Sequence, residues 1–239
     1  MRTITANINY LYNSGFALEL SNHFLVFDYF IDSTNLLTPA SIATHPHPLV
    51  LVSHGHHDHY NPAILEWQQY NSSLRYIFSS DIAAEGSSIH SMSSHDTLDL
   101  GDVYVRAYGS TDLGVSFLVR AEGLNIFHAG DLNWWHWREE STENEIENAE
   151  RAFLREIEPL RGERIDIAFF PVDPRLGQDY DAGARKFIEL IKPGLLIPMH
   201  FGDNFAATKA FAATASSLQT SICAITHRGQ SIVYTKRED

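Results

Sequence analysis

The chain has 239 residues, of which 44% are hydrophobic, and this is enough to bury the core of one domain. Its formal net charge is −13 and its 17 lysines and arginines are scattered, so binding to a polyanion gains nothing from counterion release and nucleic acid is a poor default partner. The single cysteine, Cys223, excludes an internal disulfide and a cysteine-based zinc knuckle.

The first half of the chain predicts short strands joined by turns. An Asn13-Ser14-Gly15 turn signal separates the first two strands, which form an antiparallel meander with the third. Residues 32–48 contain three prolines and no clear period, which indicates a loop. Asn61 and Pro62 predict a helix start, because asparagine caps well and proline suits the first helical position. The predicted strands of this half cover 4–12, 16–22, 23–30, 48–54, 75–80, 97–101, 103–108, 115–122 and 124–130.

The second half alternates helix and strand. Residues 142–157 predict an acidic amphipathic helix with Thr142 near its start, and further helices are predicted over 181–191 and 206–218. The predicted strands cover 166–172, 195–200, 221–226 and 231–235. Because no linker-like composition separates the halves, we expect two mixed sheets packed together with helices outside, in a single domain over 1–239.

The segment SHGHHDHY, residues 53–60, contains four of the 13 histidines within six positions. His54 and His56 are two residues apart at a strand end, where extended backbone points both side chains the same way. Asp58 and His59 follow directly and can face a second point nearby. Neutral imidazole and carboxylate suit zinc, iron or manganese. The spacing therefore predicts two metal centres roughly 3.5–4 Å apart, the bridging geometry used in hydrolysis, rather than a solvated polar loop.

The pattern His54-x-His56-x-Asp58-His59 resembles the HxHxDH signature of the metallo-β-lactamase superfamily. The pieces HAGD at 128–131 and IPMHFGD at 197–203 follow in the right order, each just after a predicted strand, and are similar to elements of small hydrolases resembling ascorbate-6-phosphate lactonase. The resemblance implies an α/β fold, a four-layer αββα sandwich with the metals at one edge between the sheets. The metal ligands that it implies are His54, His56, Asp58, His59, Asp131 as the bridging carboxylate, and His200.

One histidine of that family pattern is missing. Family members usually carry it between the first motif and the bridging aspartate, and here it is expected within 108–117, where the chain has no histidine. Three alternatives stay open. Asp112, Ser110 or a water fills the gap; His136 swings in; or the chain holds one ion. We favour a two-metal site with one looser ion.

Several residues near the expected site have a functional and a structural interpretation. His136 lies among three tryptophans at 133–137. It could be a proton donor or an extra metal ligand beside an aromatic pocket wall, or it could be part of a hydrophobic plug. Asp28 and His128 follow or end strands and could orient a ligand, or be a turn aspartate and a core histidine. Asp173 could also orient a ligand or contact the substrate, with Arg175 nearby as an anion contact, or it could only stabilise its own loop.

The function that these residues predict is metal-dependent hydrolysis, with a metal-bound water acting on a small-molecule lactone, amide or phosphodiester. Asp58 would bind a metal ion and orient the water. The predicted catalytic residues are Asp58 and His136. The cofactors expected are two divalent metal ions, zinc first, with manganese or iron as alternatives. A non-catalytic metal-binding or sensing protein with a depleted site is the alternative, and an iron oxidoreductase with a separate redox partner is a third.

The expected partner is a small-molecule substrate, without nucleic acid or membrane, and a homo-oligomer is left open. No apolar run is long enough to span a bilayer, and residues 1–16 lack the apolar core of a signal peptide. We therefore expect a cytoplasmic protein.

Overall fold

The computed structural model of the chain describes residues 2–215 and 220–238, and in them strands form two seven-stranded sheets. The first sheet contains, in order across it, β14 (Ser231–Glu238), β1 (Arg2–Tyr12), β2 (Gly15–Glu19), β3 (Phe24–Phe27), β4 (Pro48–Val52), β5 (Arg75–Ser79) and β6 (Ile89–Met92). The second contains β13 (Ser221–Ile222), β12 (Leu195–Met199), β11 (Ile167–Pro171), β10 (Leu124–His128), β9 (Ser116–Ala121), β8 (Val103–Tyr108) and β7 (Thr97–Asp99).

Helices cover the outer faces of both sheets, so the four-layer α/β sandwich is confirmed. Phe187 of the helix outside the second sheet stacks on Phe127 and Phe170 at ring-centroid distances of 5.4 and 4.5 Å. On the first sheet, Ile42 and Ile64 from two short helices join the same buried cluster as the outward side chains of the strands. The α-helices are α1 (Pro39–Thr44), α2 (Glu143–Ile157), α3 (Ala182–Ile191) and α4 (Phe205–Thr214), and 3₁₀ helices cover Pro62–Gln69, Glu158–Leu160 and Pro174–Asp179.

Most predicted elements are confirmed, and the differences are short ones. The predicted meander is present, because β2 pairs antiparallel with both β1 and β3. The loop predicted over 32–48 is wrong in part: it contains α1, which a capping box between Thr38 and Ser41 starts and which is too short to show a helical period. Strand β6 was not predicted, since its exposed, partly polar edge position hides the apolar pattern. Of the helix predicted over 206–218, residues 216–218 lie outside the described residues.

Strand direction brings many strand ends to one edge. Strands β3, β4 and β5 are parallel, and β1 runs the same way because it is antiparallel to β2. In the second sheet β10, β11 and β12 are parallel, and β8 runs with them because both β8 and β10 are antiparallel to β9. Soon after the carboxyl ends of these eight strands the chain carries Asn13, Asp28, His54, Asp81, Asp112, Asp131, Asp173 and His200.

Aromatic side chains join the two sheets. Phe16 of β2 and Phe169 of β11 are both fully buried and stack across the sandwich with ring centroids 4.2 Å apart, and Phe27 of β3 meets Phe169 at 6.0 Å. Pairs of this kind stabilise a core by burial and by ring geometry. Within 2–215 and 220–238, no helix combines the length and the apolar character that crossing a membrane requires.

We expect Phe169→Ala to lower the free energy of unfolding by about 3–5 kcal/mol, because it removes a ring that no other side chain can replace between the sheets. Urea unfolding followed by circular dichroism measures the change. The control is Val233→Ala on β14, where the side chain is 67% exposed and we expect a change within about 0.5 kcal/mol. Equal losses in the two variants would show that Phe169 does not join the sheets.

Candidate metal centre

The segment from His54 to His59 forms a tight turn directly after β4. The backbone N–H of Gly55 donates to Asp81 Oδ2 at 2.7 Å, and the N–H of His59 donates to the carbonyl oxygen of His56 at 3.0 Å. The imidazoles of His54 and His59 are fully buried, whereas His56 is exposed. The turn therefore presents imidazoles at two depths of one edge.

The carboxylate of Asp131 lies between two groups of imidazoles. Its Oδ2 is 3.5 Å from His54 Nε2. Its Oδ1 is 3.2 Å from His59 Nε2 and 3.3 Å from His200 Nε2. One carboxylate thus offers one oxygen to each side, which is the arrangement of a ligand shared by two ions.

Asp58 completes the group around Asp131 Oδ1. Its Oδ2 is 3.7 Å from His59 Nε2 and 3.8 Å from His200 Nε2. The side-chain amide of Asn13 donates to the same oxygen at 3.0 Å. Ligand atoms of Asp58, His59 and His200 all lie within 4.8 Å of one another. We name the space between these three residues and Asp131 the second metal position.

A second group lies on the other side of Asp131, and it contains Asp112. Ligand atoms of His56, Asp112 and Asp131 lie within 4.8 Å of one another, and His54 Nε2 is 3.1 Å from His56 Nδ1. We name the space between these four residues the first metal position. The hydroxyl of Ser110 accepts the N–H of Asp112 at 3.3 Å and so belongs to the same turn.

His136 lies apart from both positions. Its buried ring stacks on Trp134 at a centroid distance of 5.2 Å, and its Nδ1 is 3.8 Å from Asp179 Oδ1. In the described ranges, the groups able to hold a metal do not include it. Trp135, on the same loop, faces the site, and its ring meets that of His200 edge-on at 5.7 Å. The catalytic role of His136 stays a prediction.

Asp28 holds two of the imidazoles in place. Its Oδ2 accepts from His59 Nδ1 at 2.7 Å and from the hydroxyl of Ser53 at 2.6 Å, and its Oδ1 accepts from the N–H of Ser53 at 2.7 Å. Because the Ser53 hydroxyl donates to Asp28, it accepts from His54 Nδ1, which lies 3.0 Å away. Both imidazoles therefore carry their proton on Nδ1 and turn Nε2 towards Asp131.

Asp173 does the same for His200 from the other sheet. Its Oδ2 lies 3.1 Å from His200 Nδ1, and it also accepts from the Nε of Arg175 at 2.9 Å. These bonds leave Nε2 of His200 free for the site. His128 Nε2 donates to the carbonyl of Ser14 at 2.8 Å, and its Nδ1 accepts from the N–H of Gly130 at 3.2 Å and lies 3.8 Å from Asp28 Oδ2, which supports a structural interpretation.

Three non-glycine residues of the site have left-handed backbone: Asn13 with φ 52°, Asp28 with φ 43° and His200 with φ 63°. Such residues are uncommon, and they persist where surrounding contacts hold them. Here the N–H of His200 donates to the carbonyl of Asn13 at 3.1 Å. The sequence indicated Asn13 only as a turn residue and missed Asp81. Their place directly after strands of one direction is the signal that could have found them.

The charges of the site are strongly coupled. Burial by itself lowers the pKa of His59, but the carboxylates of Asp131 and Asp28 outweigh it and raise the pKa to about 10. Burial raises the pKa of Asp131, yet His59 and His200 beside it hold that pKa well below its usual range. Burial lowers the pKa of His54, which favours the neutral imidazole that binds metals. The same negative charge that raises the pKa of His59 also attracts a divalent cation.

The residues present fit divalent cations. His59 Nε2 and Asp131 Oδ1 lie 3.2 Å apart without forming a hydrogen bond, and among the described residues neither of these buried atoms has another hydrogen-bond partner, although buried polar atoms are nearly always paired. Ligand atoms at about 2.0–2.1 Å from a tetrahedral ion are about 3.3–3.4 Å from one another. Around the second metal position, Nε2 of His59 and Nε2 of His200 lie 3.2 to 3.8 Å from Asp58 Oδ2 and Asp131 Oδ1.

Two clefts meet at the site. One has a volume of about 730 Å³ and the other about 370 Å³, and Asp58, Arg175 and His200 line both. The larger cleft has an aromatic side formed by Tyr12, Phe30, His57 and Phe201. The smaller has Thr111, Asp112, Trp135 and Trp137 beside the ligands. A substrate at the metal positions therefore has room to extend in two directions.

Comparison with known proteins gives a family match and related hydrolases. A family profile described as "Beta-lactamase superfamily domain" matches residues 7–150. A UPF0173 metal-dependent hydrolase of Opitutus terrae is 26% identical over 226 residues, covering 82% of this chain and 85% of its own length. A UPF0173 metal-dependent hydrolase of Bacillus licheniformis is 25% identical, covering 91% of this chain and 94% of its own.

Among solved structures, Igni18, a metallo hydrolase from the archaeon Ignicoccus hospitalis, superposes with a TM-score of 0.64 at 15% identity. The superposition covers 96% of this chain and 98% of that one. At this identity the likeness shows the fold, and it agrees with the two-sheet sandwich described above.

We expect Asp28→Asn to weaken divalent metal binding by about 10–100-fold, because an amide in place of the carboxylate no longer fixes the Nδ1 protons of His54 and His59. Titration of the metal-free protein against a chelating dye measures the dissociation constant. Asp81→Asn is the matched control, since Asp81 contacts the same turn through the N–H of Gly55 without touching an imidazole. Equal affinity in a folded Asp28→Asn variant and wild type would contradict the orienting role.

Proposed function

The chain belongs to the metallo-β-lactamase superfamily, as a metal-dependent hydrolase, and from this we propose that it uses two divalent ions to cleave a lactone, amide or phosphodiester bond of a small molecule. The observation that carries the proposal is the Asp131 carboxylate, with Oδ2 towards His54 and Oδ1 towards His59 and His200. A shared carboxylate of this kind supports two ions close enough to act on one bond.

The donor set allows zinc, manganese or iron. The ions supply Lewis acidity and lower the pKa of a bound water to near 7. The residues proposed to hold them are His54 and His56 at the first position, Asp58, His59 and His200 at the second, and Asp131 at both.

Asp58 has a second task in this proposal. Asn13 donates to its Oδ2 at 3.0 Å and holds the carboxylate in one orientation, and a third of the side chain is exposed to the cleft. Its other oxygen is then able to accept a hydrogen bond from the attacking water and to orient it. This partly exposed carboxylate differs from Asp131, which is buried between imidazoles.

A small-molecule substrate is supported by the clefts and by charge. Both volumes, about 370 and 730 Å³, lie in the range of small-molecule sites. The net charge of −13 repels polyanions at long range. Arg175, held by Asp173 where the clefts meet, offers a guanidinium to an anionic group of the substrate, and Trp135 and Trp137 offer an apolar wall.

The non-catalytic alternative rested on the missing histidine. The position of Asp112 weakens that argument. Its ligand atom lies within 4.8 Å of those of His56 and Asp131, and a carboxylate also binds zinc, manganese and iron. We further propose that 1–239 form one domain, which a core shared by both sheets supports. Cytoplasmic location and action without nucleic acid or membrane stay predictions from composition. A homo-oligomer stays a prediction.

Removal of the metal tests the proposal. We expect dialysis against a chelator to abolish hydrolysis across a panel of lactones, amides and phosphodiesters, and two equivalents of a divalent ion to restore it. Initial rates and elemental analysis are measured on the same samples. Full activity in protein that carries no metal would rule out the proposed reaction, and a fully loaded protein inactive on every class would favour the non-catalytic alternative.

We expect Asp58→Asn to lower kcat at least about 100-fold on the substrate so identified, because the amide cannot orient and deprotonate the water. Asp203→Asn is the matched control: Asp203 lines the same cleft but pairs with Arg228 rather than with a ligand. Steady-state kinetics with metal analysis of each variant separates lost metal from lost catalysis. A kcat close to that of Asp203→Asn would remove Asp58 from the mechanism.

A further inference from the structure

We propose that Asp112 is the fourth ligand of the first metal position, where superfamily members usually have a histidine, and that its carboxylate shifts the affinity of this position from Zn²⁺ towards a hard divalent ion such as Mn²⁺, relative to a position with a histidine there. The inference rests on the proposed two-metal function and deepens it. It follows from the residues of the turn that joins β8 to β9.

The turn is fixed against the strand end that carries the first histidines. Gly114 has φ +76°, and a Cβ at this residue would collide with the carbonyl oxygen of Ser53 and with His54. The N–H of Val115 donates to the same carbonyl at 3.0 Å. Only glycine allows so close an approach, and the approach sets how far Asp112 stands from His56.

The other side of the turn is fixed to the loop that carries the bridging carboxylate. The hydroxyl of Thr111 donates to the carbonyl of Asn133 at 2.6 Å and accepts the N–H of Asn133 at 2.9 Å. It also lies 3.3 Å from the carbonyl oxygen of Asp131. The residues on both sides of Asp112 are therefore fixed. Gly114 and Val115 pack against the segment that carries His54, and Thr111 bonds to the loop that carries Asp131.

The surroundings of Asp112 point to a cation. Its ligand atom lies within 4.8 Å of those of His56 and Asp131, so two carboxylates approach each other beside one imidazole. Like charges at this distance repel unless a positive charge lies between them. Asp131 is 4% exposed, and its Oδ2, on the side of the first position, lies 3.5 Å from His54 Nε2, so a buried carboxylate oxygen and a buried imidazole nitrogen face the same space as Asp112.

The shift of the first metal position towards Mn²⁺, relative to a position with a histidine in place of Asp112, follows from its donor atoms. With Asp112, the first position offers two imidazoles and two carboxylates, where a histidine would leave three imidazoles and one carboxylate. Imidazole suits zinc, whereas carboxylate oxygen suits manganese and magnesium. Each carboxylate also cancels one positive charge, so Asp58, Asp112 and Asp131 together offset three of the four charges of two divalent ions.

The test compares metal content in full-length wild type, Asp112→Asn, Asp112→His and the control Asp203→Asn. Metal-free protein is equilibrated with Mn²⁺ alone and with an equimolar Mn²⁺ and Zn²⁺ mixture, desalted, and analysed for bound metal, with free Mn²⁺ followed by electron paramagnetic resonance. Asp112 is exposed on a turn, so the variants should fold, and circular dichroism checks this.

We expect wild type and Asp203→Asn to bind two Mn²⁺ ions. Asp112→Asn should keep the ion of the second position and lose affinity at the first by at least about tenfold. Asp112→His should bind two ions again, with a bound Zn²⁺ to Mn²⁺ ratio at least about tenfold above that of wild type.

Two results would overturn the inference while leaving the proposed function in place. One is a folded Asp112→Asn variant with the stoichiometry and affinity of wild type, which would show that Asp112 is no ligand. The other is an unchanged Zn²⁺ to Mn²⁺ ratio in Asp112→His, which would show that the carboxylate sets no preference. Wild type that binds no divalent ion would instead overturn both.

Discussion

The site depends on one buried carboxylate that faces imidazoles with both of its oxygens. Asp131 Oδ2 lies 3.5 Å from His54, and Asp131 Oδ1 lies 3.2 and 3.3 Å from His59 and His200. A charge this deep is stable only beside opposite charge. The imidazoles supply that charge when protonated, and divalent ions supply more of it. The same interaction that lets Asp131 be buried therefore makes the pair of positions beside it selective for cations.

A second layer of carboxylates decides which nitrogen of each imidazole faces Asp131 and the candidate metal positions. Asp28 fixes His59 and, through Ser53, His54, while Asp173 fixes His200. These residues come from different sheets, and each follows a strand whose carboxyl end lies at the same edge. The architecture therefore delivers the ligands and their hydrogen-bond acceptors together, because side chains that follow parallel strands collect at one end of a sheet.

The turn between β8 and β9 brings a further carboxylate to the common edge. In the proposed two-ion site, Asp112 would raise the number of carboxylates to three, so the pair of ions would retain less positive charge than in a site with a histidine there. Less charge lowers the attraction for a phosphodiester more than it lowers the attraction for a neutral carbonyl, since the first carries a negative charge and the second does not. Arg175, where the two clefts meet, supplies a positive charge that is independent of the metals.

Local patterns in the sequence determined the strands, the longer helices and the histidine turn, because alternation, capping and ligand spacing depend on residues close in the chain. They missed α1 and β6, which are too short or too exposed to show a period. Tertiary structure alone decided that Asp28 lies 2.7 Å from His59 and that Asp112, not His136, stands beside His56 and Asp131. Those contacts join segments far apart in sequence, and they depend on which strands pair and in which direction, which long-range packing decides.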